Sequence, residues 1–431
     1  MLITLTVFYI LLTGLEVQEM FPSVNGWPII PVCLTAASLL ALFGAMRVWR
    51  QNSTVLLLGG AFLLFPAVSW ILNRWPSGAV NSVIKLYPSI AMLALAIVAV
   101  QSFRHLHWLR WCLILAALAP VVPGVQDYMA GDIESPYIYS IPDPVPEGED
   151  QTYTLRLMAL GRLHDPNQYA QLIVVALPLL MYGFRLRKIS FRDVIFRLPL
   201  AAAMIGAIAL TKSRGGAIAL LLITICPIVM RNRKWGISLL AAIGVLGPPA
   251  MSIVTGREIS VQSGGDRLAI WSDGLAAFKS SPIWGVGFGN FANFAEGMTA
   301  HNAFLLCAAE LGVIGAFLWL ALLILPLVQL YRIISWPEAP PDIAAWARAL
   351  FYSLIGFMIT AFFLSRAYVW LPFLLFGMAT AFARLAEDSG ATAPEPTKLQ
   401  VGQTTIPWPK YAAASVVGCI AAIYISVRLR V

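Results

Sequence analysis

Charge is what this sequence has least of. Asp, Glu, Lys and Arg together make up 12% of its 431 residues, about half the share of an ordinary soluble chain. A solvated globular surface cannot be built from so few charges. Histidine is scarcer still, with four in the chain. The five cysteines (Cys33, Cys112, Cys226, Cys307 and Cys419) each lie inside an apolar block, and none forms a C-x-x-C pair. They read as small buried hydrophobes, not as disulfides or ligands. The sequence contains no H-E-x-x-H, no Cys/His cluster and no Walker-type phosphate loop. No metal site, no cofactor and no ATP hydrolysis are therefore expected.

What the chain has is apolar sequence, 59% of its residues. It comes in blocks close to the roughly 20 residues that cross a bilayer core. Apolar runs fall near residues 2–19, 28–46, 54–72, 86–103, 109–126, 168–184, 198–213, 215–231, 236–254, 302–331, 344–364, 369–386 and 410–427. The runs are too long, and alternate too little, for barrel strands. The expected fold is all-α: a polytopic transmembrane helical bundle of about 12–13 spans, with short amphipathic helices in its outer loops. The N-terminal MLITLTVFYILLTGLEVQEMF has no basic n-region and no small-residue cleavage site, so it reads as a first span or anchor.

The net charge of +8 would suggest nucleic acid in a soluble protein. Here the cations gather between spans: Arg47 and Arg50, then Arg104 and Arg110, then Arg185 to Arg197, then Arg231 to Lys234. Alternate loops share one side, so orientation is the better reading and that side is cytoplasmic. Nucleic acid is not an expected partner; membrane lipids are. His105 and His107 lie beside Arg104 and read as polar residues at headgroup level. The opposite side carries two long loops, near 127–167 and 255–301, the first with the Pro-rich IPDPVPEGED. Loops of that length are usually functional or disordered. Residues 1–386 read as one transmembrane domain, 387–409 as a cytoplasmic linker, and 410–431 as a final span with its tail.

Three stretches carry candidate chemistry. In 208-IALTKSRGGAIALL-221, Lys212 and Arg214 interrupt an apolar run of about 33 residues, roughly 50 Å as one helix at 1.5 Å per residue. That is too long for one span. Splitting it at Ser213 to Gly216 gives two short antiparallel helices whose turn stays below the membrane surface, with the Gly pair taking positive φ. The two cations would face a wet cavity or an anion, near the N–H groups of the second helix; otherwise they snorkel to the surface. In 301-HNAFLLCAAELGVIG-315, His301 stands at the mouth of a span, where a neutral imidazole can act as a base. Glu310, nine residues on, falls on the other helix face and reads as glue to another helix. In 266-DRLAIWSDGLAAFKSSPIWGVGFGNF-291, Leu268, Trp271, Leu275 and Phe278 fall at helical spacing. That amphipathic helix lies on the bilayer or packs on the bundle. The later GVGFGN lacks a strand–helix context, so it is not a dinucleotide loop.

Together these stretches resemble the O-antigen ligase and polymerase superfamily of bacterial envelope glycosyltransferases. That family shows a His-Asn/Ser/Gln pair, nine residues, then G-x-x-G. His301-Asn302, followed by Gly312 and Gly315, matches in full. Ser213-Arg214-Gly215 matches the family's S-R-G between short spans, Arg267 ahead of Trp271 its loop arginine, and Asp165-Pro166-Asn167 a further element. The resemblance covers roughly residues 160–330. It implies transfer on the periplasmic face of the inner membrane, from a glycan on undecaprenyl pyrophosphate to lipid A–core, without metal or nucleotide. His301 would be the base. Arg214 and Arg267 would stabilise the pyrophosphate, with Lys212, Asn302, Arg162 and Asn167 binding substrate. A polymerase using the same donor is the alternative. A lipid-linked sugar flippase or secondary transporter is the alternative of another class; it would need paired broken helices in two repeats, and one such pair is found.

Overall fold

In the computed structural model, residues 1–15, 19, 28–143, 150–185, 188–231, 261–390 and 408–428 are described. The expected span at 236–254, most of the Pro-rich run and most of the linker lie outside them, as does the side chain of Arg162.

The chain opens with α1 (Leu2–Gly14) and then α2 (Ile29–Leu72). Two spans with a basic loop were expected across α2, but one helix runs straight through Arg47 and Arg50. The reason is local. The stretch RVWRQNST contains no Gly or Pro to stop propagation, and Asn52 donates back to the Val48 carbonyl at 2.9 Å without breaking the turn. Next come α3 (Pro76–Ala99), α4 (Phe103–Leu118) and α5 (Val121–Ala130). Arg110, expected in a loop, is buried in α4. Its guanidinium stacks 5.0 Å from the Tyr182 ring and 5.8 Å from the Trp346 ring, a contact that compensates for burying the charge.

The first long loop contains strands, which the hydropathy pattern did not disclose. β1 (Ile138–Pro142) and β2 (Tyr153–Leu157) pair antiparallel, with Ser140 opposite Leu155. Then follow α6 (Pro166–Leu180) and α7 (Leu198–Leu210), the latter entered through a π-turn at Asp193–Arg197, and α8 (Arg214–Arg231). Beyond the undescribed stretch lie α9 (Val261–Ser280), α10 (Ala303–Ser335), α11 (Pro341–Ala361), α12 (Trp370–Asp388) and α13 (Trp408–Arg428).

Seven helices among the described residues are long and apolar enough to cross a membrane, and α1 and α8 are shorter apolar helices. The chain is an all-α polytopic bundle. Its interior is built on α6 and α12, which are buried along almost their whole lengths. Phe373, Phe376 and Phe382 of α12 are fully enclosed. Gly377 lets α12 approach the α3 backbone, since a Cβ there would lie 2.8 Å from the Leu93 carbonyl oxygen. The amphipathic segment α9 does not lie free on the bilayer. It buries Trp271 and Leu275 in one apolar cluster with Leu305 and Ala309 of α10 and Ile423 of α13.

Candidate active site

The turn between α7 and α8 differs from the expected one. Residues 193–210 form one run of 18 residues and α8 has 18, each about 27 Å by the rise of a helix, still under the roughly 30 Å hydrocarbon core. The turn itself is Thr211 to Ser213, and the left-handed residue in it is Lys212, at φ 49°. Gly215 and Gly216 are already inside α8. They serve packing: a Cβ on Gly216 would meet the Ala170 Cβ of α6 at 2.7 Å, and one on Gly215 would meet the Phe363 ring at 3.2 Å. Ser213 begins the helix by accepting from the Gly216 N–H at 3.2 Å, as N-cap serines do.

Asp165 caps α6 in the same way. Its carboxylate accepts from the N–H groups of Asn167 and Gln168 at 2.8 and 3.0 Å. Arg156 of β2 ties this start to the α7–α8 turn. Its Nε donates to the Thr211 carbonyl at 2.9 Å, and a terminal nitrogen donates to Asn167 Oδ1 at 3.1 Å.

His301 precedes α10 and also holds a left-handed backbone, at φ 47°. Non-glycine residues in that region are uncommon and cluster at functional sites. Asn302 starts the helix, with Oδ1 accepting from Phe304 and Leu305 N–H at 3.0 Å each. It is 0% exposed, so the structure places it beneath His301 as a helix cap, not in an open cleft. Trp271 of α9 donates Nε1–H to the Ala300 carbonyl at 3.0 Å. Burial, and then the nearby Arg267 charge, push the His301 imidazole below its ordinary value, against an opposing pull from Asp165. Arg267, His301 and Asp165 therefore share one electrostatic neighbourhood, although they come from α9, the foot of α10 and the foot of α6.

The connection between α11 and α12 gathers these parts. Phe362 meets the Trp271 ring edge-on at 5.5 Å, and Phe363 lies against Gly215. Ser365 accepts the His301 backbone N–H at 2.8 Å. Arg366, 7% exposed, donates to Gln168 Oε1 at 2.8 Å. Four elements thus meet on five consecutive residues.

The glycine-rich loop after α9 completes the hydrogen bonding of α10. Gly312 breaks α10, at φ 63° and ψ −167°. The break deprives carbonyls of their helical partners, and the loop supplies new ones. Val286 N–H donates to the Ala309 carbonyl at 3.0 Å and Gly287 N–H to the Glu310 carbonyl at 2.9 Å, while Val313 N–H turns to the Pro282 carbonyl at 2.8 Å. Glu310, buried, accepts from the Phe291 N–H at 3.2 Å. Its carboxyl faces this loop and Tyr368 of the connection between α11 and α12. Among the described residues, no group of three or more His, Cys, Asp or Glu side chains converges in a way that could hold a metal ion.

Residues 199–320 match a family model described as O-Antigen ligase. Over those residues the chain is similar to the O-antigen ligase superfamily. No curated protein matches it. The matched O-antigen ligase region holds Lys212, Arg214, Arg267, His301 and Asn302, whereas Asn167, Arg156, Ser365 and Arg366 lie outside it. Sequence reasoning missed Arg156, Ser365 and Arg366. Arg366 had a signal: Ser365-Arg366 sits between two apolar runs much as Ser213-Arg214 does. Arg156 had none, since it lies in a polar loop where an arginine is unremarked.

Proposed function

We propose that the protein transfers a glycan from undecaprenyl pyrophosphate to lipid A–core on the periplasmic face of the inner membrane, completing lipopolysaccharide. The observation that carries this reading is the His301 imidazole, fixed at the foot of α10 by its backbone bond to Ser365 and pushed below its ordinary value by burial and by Arg267, inside the O-antigen ligase match. A neutral imidazole can accept the proton of an acceptor hydroxyl near pH 7. The hydroxyl oxygen then attacks the anomeric carbon. The bond from that carbon to the pyrophosphate oxygen breaks, and undecaprenyl pyrophosphate leaves with the electron pair. In-line attack inverts the configuration.

The developing negative charge needs fixed donors in a site of low dielectric. Arg214 and Arg267 take that role, because guanidinium groups pair with phosphoryl oxygens through two donors at once. Lys212 assists from the turn. Asn167 is oriented by Arg156 and contacts substrate, as does Arg162. Asn302 acts as a positioning residue, fixing the helix start behind His301. The acceptor separates this reading from its rival. A polymerase uses the same donor and the same groups, but lengthens a carrier-linked glycan.

The test mixes purified protein with lipid-linked glycan and lipid A–core, without metal or ATP, and follows product by size. Glycan on lipid A–core is the expected result, and longer carrier-linked glycan would establish the polymerase instead. Transfer at wild-type rate by His301→Ala would remove the base from the mechanism.

A further inference from the structure

A second feature lies at the opposite end of α6 from the candidate site. The site residues stand at the start of this helix, and its 15 residues carry the chain about 22 Å away. There a cleft of about 330 Å³ opens between the end of α6 and the facing parts of α8 and α11. Leu177, Met181, Ile223 and Ala349 give it apolar walls. Pro178 of α6 and Pro227 of α8 both line it, and a proline inside a helix removes a backbone hydrogen bond. Arg185 and Arg348 line its mouth. Both are exposed, neither forms an ion pair among the described residues, and no carboxylate lines the cleft. Ser213, Arg214, Arg267 and His301 take no part in it.

We infer that this cleft binds an anionic phospholipid of the leaflet opposite the candidate site, its phosphodiester held by Arg185 and Arg348 and an acyl chain against the α6–α8–α11 walls. Two features support that occupant together. The walls are apolar and the bundle is surrounded by lipid, so an acyl chain gains by filling the gap between helices. The mouth carries two guanidinium groups with no ion-pair partner among the described residues, and these match a phosphodiester by charge and by donor geometry. Basic pockets between transmembrane helices recognise anionic headgroups on this physical basis. A zwitterionic lipid would bring an ammonium group to the same two cations, and a free phosphate would leave the apolar walls unfilled.

The inference is tested by native mass spectrometry of the full chain in detergent, titrated with phosphatidylglycerol or phosphatidylcholine. Phosphatidylglycerol should be retained roughly tenfold more. The double variant Arg185→Gln/Arg348→Gln should lose that preference, and Arg192→Gln, an exposed cation that does not line the cleft, should keep it. Ala349→Trp fills a wall but leaves both guanidinium groups, and it should also lose the lipid. Equal retention of both lipids, or an equal loss in Arg192→Gln, would overturn the site. So would displacement of the lipid by millimolar inorganic phosphate, because headgroup charge alone would then account for binding. Each variant is passed over a sizing column first, and its glycan transfer should equal wild type, which separates this result from failure of the proposed activity.

Discussion

The His301 backbone N–H donates to Ser365 Oγ at 2.8 Å. A residue that begins one helix is thereby fixed by the connection between two others. The bond holds His301 in its left-handed conformation, which its own side chain does not favour. It also sets Arg366 beside the start of α6.

Ser365→Ala removes this acceptor. A typical hydrogen bond contributes about 1 kcal/mol, so transfer should fall about fivefold through kcat, with donor KM little changed. Ser365→Thr retains the hydroxyl and should recover most of the rate. Steady-state kinetics on both variants decide it, and an unchanged kcat in the alanine variant would show that the bond does not position the base.

The pH profile follows from the neighbours of His301. The base works only when neutral. Its value is lowered by burial and by Arg267, so kcat/KM should stay flat around neutral pH and fall only on the acid side, below the ordinary histidine value of about 6.5. Arg267→Gln removes a charge that lowers the value, so the acid limb should move to higher pH. Asp165→Asn removes a charge that raises it and keeps a capping side chain, so the limb should move to lower pH. Shifts in the same direction would refute the assignment.

Arg214→Ala should reduce transfer by about 10²–10³-fold, the usual loss on removing one fixed donor from a developing charge. Arg214→Lys should restore little of it. Lysine keeps the charge but lacks the planar pair of donors. Rates at saturating donor distinguish this from weaker binding.

Gly312→Ala should destabilise the fold. The backbone there occupies a region open almost only to glycine, where other residues cost about 1–3 kcal/mol. A Cβ would also lie 2.3 Å from the Ile283 carbonyl oxygen. A lower midpoint in thermal unfolding of the detergent-solubilised protein is expected. Gly289→Ala is the comparison. It shares a positive φ of 77° but a Cβ there meets nothing within 4 Å, so its loss should be smaller.

The membrane class and most helices were legible because apolar length is a one-dimensional property. The runs near 168–184, 302–331, 344–364 and 369–386 became α6, α10, α11 and α12 with their ends shifted by a few residues. The continuity of α2 was not legible in the same way. Arg47 and Arg50 look like a loop to a hydropathy reading, yet charge does not stop a helix. The Gly pair misled for a related reason. Glycine permits both positive φ and close approach, and the sequence cannot say which is used. The structure gives the positive φ to Lys212 and the close approach to Gly216.

The sequence by itself determined that this chain lives in a membrane, that Lys212, Arg214, Arg267 and His301 stand out against it, and that their spacing resembles one family. It could do so because each of these is carried by composition or by short-range pattern. Only the tertiary structure decided which of them meet. Ser365 and Arg366 come to His301 and Gln168 across 64 and 198 positions of chain, and Arg156 reaches Thr211 across 55. Such contacts depend on how helices pack side by side, and no local periodicity records that.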